Sequence, residues 1–165
     1  MIPISRIAPD AAHCLVPLLR QVHDLHAAHM PMHYTPTPDD AALTGFLRTW
    51  LQDPAVTALA AGPADKPVGY LIYEEVDRPA SVLRCTERFG MFHHICVDAA
   101  ARRSGVGAAL IAEMRRRLAA RSVPRIRVSY AAFNTASASL MSRAGFTPVT
   151  IYAEVDTAAV PTSHG

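Results

Sequence analysis

Two adjacent histidines, His93 and His94, sit in a short apolar run, Met91-Phe92-His93-His94-Ile95-Cys96-Val97. An imidazole has an ordinary pKa of about 6.5, so either ring can be neutral and accept a proton near physiological pH. A few residues on, the chain reads Arg102-Arg103-Ser104-Gly105-Val106-Gly107 and then takes up the helical spacing of Leu110, Ile111, Met114 and Leu118. A glycine-bearing strand-to-helix turn leaves backbone N–H groups unpaired, with the positive end of the helix dipole behind them. That arrangement seats a phosphate. Side chains at positions 105 and 107 would obstruct the phosphate and strain the turn, which accounts for glycine there.

Three phosphate-loop patterns compete. A Walker loop needs Lys and Ser/Thr after its second glycine, and Ala108-Ala109 follows Gly107. A dinucleotide fingerprint needs a third glycine or alanine where Leu110 stands, and belongs near the start of a doubly wound fold. The third pattern fits. Arg102-x-x-Gly105-x-Gly107, preceded by Ile95-Cys96-Val97-Asp98, resembles the pyrophosphate loop of the GNAT acetyltransferase superfamily. A second segment matches downstream, with Asn134 followed eleven and twelve residues later by Gly145-Phe146. The resemblance runs along nearly the whole chain.

The resemblance implies acetyl-CoA held where two central strands, 92–97 and 125–130, splay apart. Ile95, Cys96 and Val97 would flank the pantetheine arm. The loop Arg102, Arg103, Ser104, Gly105, Val106, Gly107 and Ala108 would hold the pyrophosphate, with Asn134 and Met141 also at the cofactor. A backbone N–H near Val97 would face the oxygen on which charge develops during acetyl transfer to an amine. Strand alternation puts His93 with Ile95 and Val97, and His94 with Phe92 and Cys96, so only one faces the acetyl group. His93 is preferred as the base, and a bulge would reverse that choice. Many relatives carry a tyrosine acid at the position of Met141, and a thioether donates no proton. Tyr130, Ser139 or Ser142 could take over. The missing tyrosine also motivates a second reading, an acetyl-CoA sensor or weakly active module.

The acceptor side is read from the first helices, where His26 and His29 could touch substrate, and from the stretch around Tyr73. His23, His26, His29 and His33 recur every three or four residues, but no cysteine or carboxylate set beyond Asp24 completes a ligand group, so no metal is expected. Arg115, Arg116, Arg117 and Arg121 read as a solvated helix face, with one flanking arginine able to reach the cofactor's 3′-phosphate.

The elements that must position these residues follow from periodicity. Ile2–Ile7 reads as a strand, and a helical stretch follows Pro9-Asp10 to about Ala28, with Pro17 forcing a kink or a restart. A proline-rich loop leads to a helix capped by Asp39 or Asp40. Val56–Ala61 and Val68–Val76 form an antiparallel hairpin, while 78–88 is a loop or frayed strand. The opening strand, its helix and Arg125–Tyr130 make a parallel unit. Asn134 or Thr135 caps a last helix stopped by Gly145, and Phe146–Val155 is a final strand. The expected architecture is one α/β domain over 1–156 with a GNAT-like, mostly antiparallel mixed sheet, a splayed central parallel pair and helices on both faces, then a tail over 157–165.

Composition agrees with one packed domain. The 165 residues are 50% apolar and 18% charged. A net charge of +2 argues against nucleic acid, and no apolar run suggests a membrane span. Cys14, Cys85 and Cys96 read as reduced thiols, and the N-terminus lacks a signal-peptide pattern, so the cytoplasm is the expected compartment. The partners expected are acetyl-CoA and an amine acceptor; the resemblance also allows a homodimer.

Overall fold

The structure, a computed structural model, describes residues 2–36 and 38–157. Five strands form one sheet in the order β1 (Ile4–Ile7), β2 (Val56–Ala61), β3 (Gly69–Arg78), β4 (Glu87–Val97), β5 (Ile126–Val128). The first three pairings are antiparallel and β4–β5 is parallel. The ambiguous stretch 78–88 resolves into the ends of β3 and β4, held by Arg78–Glu87 pairing across a loop.

Helices cover both faces. On one lie a 3-10 turn (Pro9–Leu15), α1 (Val16–His29) and α2 (Asp40–Leu51). The helical pattern after Pro9 thus splits in two, and Pro17 stands in the first turn of α1, where its missing N–H costs no hydrogen bond. Asp39 caps α2, its carboxylate accepting from the Ala42 amide at 2.7 Å. The stripe Leu43, Leu47, Leu51 buries against Ala58, Ala60, Tyr70 and Ile72 of the sheet. The opposite face takes α3 (Val106–Ala120) and α4 (Thr135–Arg143), whose Leu110, Met114, Leu118 and Met141 pack on Leu59, Leu71, Tyr73 and Phe92. The fit is close: a Cβ on Gly90 of β4 would lie 2.5 Å from a Leu118 methyl.

The expected sixth strand is not formed. Phe146 packs against the α3 face, but from 147 to 157 the backbone is irregular, and Val149, Ile151, Tyr152 and Val155 are exposed. Alternating apolar residues make a strand only with a ladder partner, and Pro148 removes one donor at its start. The proposed tail beyond residue 157 lies outside the described residues.

Candidate active site

The parallel pair is short. Gly90, Met91 and Phe92 are in register with Ile126, Arg127 and Val128, and there β5 ends while β4 runs on to Val97. A gap opens beside residues 93–97 of β4. On the β3 side, the Asp98 N–H donates to Val68 O at 2.9 Å. By alternation the amides of Val97 and Ile95 point the other way, into the gap. The Ile95 and Val97 side chains pack on the α3–α4 face, whereas Cys96 is buried on the α1–α2 face, its thiol pushed up to about 11 by desolvation. The Cys96 side chain is therefore turned away from the α3 side, and by the same alternation its amide points to β3, where Tyr70 is its register partner.

The phosphate-type loop lies at the far end of the gap. Asp98 Oδ1 accepts from the Ala100 N–H, and Gln21 of α1 donates to Asp98 Oδ2 at 3.1 Å, fixing the exit from β4. Arg102 Nε donates back to Val97 O. Arg103 has φ +65°, a conformation that costs a non-glycine residue of order 1–3 kcal/mol and is typical of functional turns. Gly105 has φ +86° with open space where a Cβ would stand, so glycine is there for conformation. Gly107 is helical; its Cβ would meet Leu140 of α4 at 3.3 Å, so the two helix ends approach closely because it is glycine. Ala109 N–H donates to Gly105 O, and the preceding amides of Val106, Gly107 and Ala108 form the first helical turn, which has no intrahelical acceptors. Asn134 caps α4 through its Oδ1 and the Ser137 N–H at 3.0 Å, setting a second helix N-terminus at the β5 side.

The histidines lie on the other face. β3 pairs Ile72 with His94 but Tyr73 with Phe92, so His93 is the extra residue of a bulge in β4. The bulge resets the alternation. Phe92 faces α3, while both histidines face α2, where Trp50 stands edge-on to them with ring centroids 5.1 Å from His93 and 5.3 Å from His94. The expected grouping of His93 with Ile95 and Val97, and of His94 with Phe92, is corrected accordingly. His93 Nε2 and Glu74 Oε2 are 2.9 Å apart. His94 is more enclosed and touches the buried Tyr70 hydroxyl at 3.5 Å; desolvation pushes its pKa down to about 4, with His93 and His26 adding to the shift.

That shift has a measurable consequence. Folded protein protonates His94 near pH 4 and the unfolded chain near 6.5, so between these values the unfolded state binds more protons. Stability should fall as the pH drops below 6.5, by at most about 1.4 kcal/mol per unit, with no effect above it. Urea unfolding at pH 6.5 and pH 5 should show a steeper loss for wild type than for His94→Gln. Equal slopes would mean that His94 is not held neutral.

His26 and His29 lie near the end of α1, against Phe133. His29 stacks on Phe133 at 4.2 Å and His26 meets the same ring at 5.4 Å, joining α1 to the loop before α4. Both histidines use Nδ1 on helix carbonyls, His26 on Val22 O and His29 on Leu25 O. Among the described residues no three His, Cys, Asp or Glu side chains converge as a metal site. Tyr73 is not on this face: it is 3% exposed, packed among the α3-side core. Regular alternation in β3 turns Tyr70, Ile72 and Glu74 towards α1–α2 and Tyr73 away. Met141 is buried in the α3-side core, while Tyr130, Ser139 and Ser142 are exposed. Nor is a flanking α3 arginine free for a phosphate. Arg115 donates to Ala144 O at the end of α4, and Arg117 shares Glu113 with Arg116, holding that carboxyl down to about 2.

Trp50 carries no signal in the sequence, whereas Glu74 belongs with Glu75, Asp77 and Glu87 to an acidic stretch that could attract a cationic amine or simply face solvent; the structure turns Glu74 inward onto His93. An inward-facing carboxylate opposite an apolar helix demands a polar partner, and the alternation of β3 could have flagged it.

No helix among the described residues is long and apolar enough to cross a membrane. The fold matches solved structures at 16–20% identity, a range that establishes architecture alone. The tetramutant of the BH1408 protein from Bacillus halodurans superposes with a TM-score of 0.83 at 18% identity, covering 93% of this chain and 99% of that one. The ribosomal-protein-alanine N-acetyltransferase from Brucella melitensis biovar Abortus 2308 gives 0.71 at 20%, covering 94% and 99%. A predicted acetyltransferase with acetyl-CoA from Clostridium acetobutylicum gives 0.69 at 16%, covering 94% and 96%. No curated protein matches the sequence. The model of the acetyltransferase (GNAT) family matches residues 19–146, most of the chain, and the protein belongs to that family.

Proposed function

We propose that the protein is an acetyl-CoA-dependent N-acetyltransferase acting on a primary amine. The observation that carries this reading is the gap beside β4, with a phosphate-type loop on its α3 side and two histidines on its α1–α2 side. Donor and acceptor would thus approach one strand from opposite faces.

The residues fit acetyl-CoA. The open space over Gly105 and the free first-turn amides of α3 suit a pyrophosphate, and the Ile95 and Val97 amides suit an extended amide-bearing arm. Bound there, acetyl-CoA supplies the activated acetyl group. The amine must lose a proton before its lone pair can attack, and a histidine on the acceptor face takes it. The bond from nitrogen to the acetyl carbon forms, the carbon–sulfur bond breaks, and the electron pair leaves with sulfur. A gap-facing amide of β4 stabilises the charge on the carbonyl oxygen. Met141 gives the leaving thiolate no proton, but a thiol of pKa about 8.5 leaves tolerably well as the anion.

Thiol release from acetyl-CoA, followed colorimetrically with a panel of primary amines, tests the reading. Amine-dependent release is expected. Saturable acetyl-CoA binding with no release by any amine would favour the second reading, an acetyl-CoA-binding module without turnover, which the burial of Met141 in the tyrosine's place supports.

A further inference from the structure

We infer that the protein carries a second anion site, for a small phosphate monoester, in an arginine-lined recess at the C-terminal end of α3. The proposed pyrophosphate turn stands at the other end of the same helix, roughly 15–20 Å away at 1.5 Å per residue, so the two sites are separate.

The sheet register assembles the recess. Arg6 of β1 is opposite Leu59 of β2, Leu59 is opposite Leu71 of β3, and Thr57 is opposite Tyr73. Directly paired residues share a face, and alternation along β3 puts Glu75 on it as well. Leu59, Leu71 and Tyr73 belong to the core under α3, so Arg6, Thr57 and Glu75 continue that face where the helix runs out. Arg116 and Arg117 near the end of α3, and Arg121 just after it, close over the top. The space between is about 380 Å³.

Four guanidiniums line this recess against one carboxylate, that of Glu75. Glu75 is already paired, through Oε2 with Arg88 and through Oε1 with Arg121 Nε. Glu113 accepts from Arg116 through Nε and Nη2 and from Arg117 through Nε. These pairings hold one edge of each side chain. Both Nη groups of Arg117 and Arg121, and Nη1 of Arg116, keep their donors. Arg6 makes no side-chain hydrogen bond or ion pair among the described residues. Gathered guanidiniums repel one another, and an anion between them relieves that repulsion.

The donor set selects the anion. A guanidinium fork matches phosphate oxygens, and a phosphate monoester brings nearly two charges at pH 7. Burial pushes the Tyr73 phenol up from its ordinary pKa, so it stays neutral and adds no opposing charge. Pro54 and Ala120 offer apolar edge to an organic body, and the volume is that of a small-molecule site. Asp53 adjoins Pro54, and Asp77 shares Arg88 with Glu75, so negative charge borders the recess and opposes a long polyanion.

Calorimetric titrations at fixed ionic strength with glycerol 3-phosphate, inorganic phosphate, dimethyl phosphate and glycerol test the inference without turnover. Saturable binding of glycerol 3-phosphate is expected, roughly tenfold tighter than the monoanion dimethyl phosphate, with none for glycerol. Arg6→Gln and Arg121→Gln should each weaken it roughly tenfold while the urea midpoint holds, because both side chains lie at the surface, and Arg6→Lys should recover part of the loss. A phosphate held at the pyrophosphate turn would ignore both substitutions, and that indifference would overturn the inference. So would absence of binding, or inorganic phosphate binding more tightly than the ester. Tighter binding of a single-stranded oligonucleotide, lost on the same substitutions, would overturn it in favour of a nucleic-acid surface.

Discussion

Gly107→Leu is expected to raise the Kd for acetyl-CoA by at least about tenfold, measured by calorimetry, in a protein that still folds cooperatively. Gly107 is in the first turn of α3, between the free amides of Val106 and Ala108 and the side chain of Leu140. A side chain there has two places to go. Towards α4 it meets Leu140, whose Cδ2 would be 3.3 Å from the new Cβ, and away from α4 it covers the turn where the pyrophosphate is proposed to sit. The first option forces the helix ends apart at a cost of about 1–3 kcal/mol; the second blocks the ligand. Both move the amides that the ligand needs. Gly105→Ala offers a contrast, since a Cβ there meets nothing, but the residue sits at φ +86°. It should lose about 1–2 kcal/mol of stability from left-handed strain, read as a lower urea midpoint, with a smaller effect on affinity. An unchanged Kd for Gly107→Leu would sink the phosphate seat.

Much of the scaffold was legible because it is local. Val56–Ala61 is a strand with those bounds because every residue but Thr57 is apolar and both faces are covered. Asp39, Asn134 and Gly145 mark helix ends through capping chemistry that needs no distant partner. The segment from Phe146 to Val155 failed for the converse reason. Its alternation is as good as that of β1, but a strand is a pairing, and nothing local says whether a partner edge exists.

The site divided along the same line. The phosphate-type turn is written in consecutive residues, Arg102 to Gly107, and could be read directly. The acceptor face is assembled from α2, β3 and β4, far apart in the chain. One extra residue in β4 decided which way two histidines point, and bulges leave no reliable mark on a sequence. Tyr73 alternates with Tyr70 and Ile72 along β3, so it turns to the α3-side core while they face α1–α2, and its nearness in the chain to the acceptor stretch does not reveal that.

With both histidines on one face, parity no longer chooses between them, and the environment does. His93→Ala is expected to lower kcat by about 10²-fold or more, whereas His94→Ala should lower it less and instead cost about 1–3 kcal/mol of stability. A base must carry positive charge once it has taken the amine's proton. His93 has a carboxylate 2.9 Å from Nε2, and its side chain is 29% exposed, so the imidazolium would be paired and partly solvated. The same contact orients the ring: with Nε2–H donated to Glu74, the Nδ1 lone pair is left to accept the proton. His94 has the Tyr70 hydroxyl in place of an anion, and burial holds its pKa at about 4, so charging it opposes its surroundings. Its ring fills space under Trp50, and truncation leaves a void there. Steady-state kinetics with any accepted amine, paired with urea unfolding of both variants, separates the two roles. A larger kcat loss for His94→Ala at undiminished stability would reassign the proton to His94, and would mean that the reacting amine enters deeper than the Glu74 carboxylate.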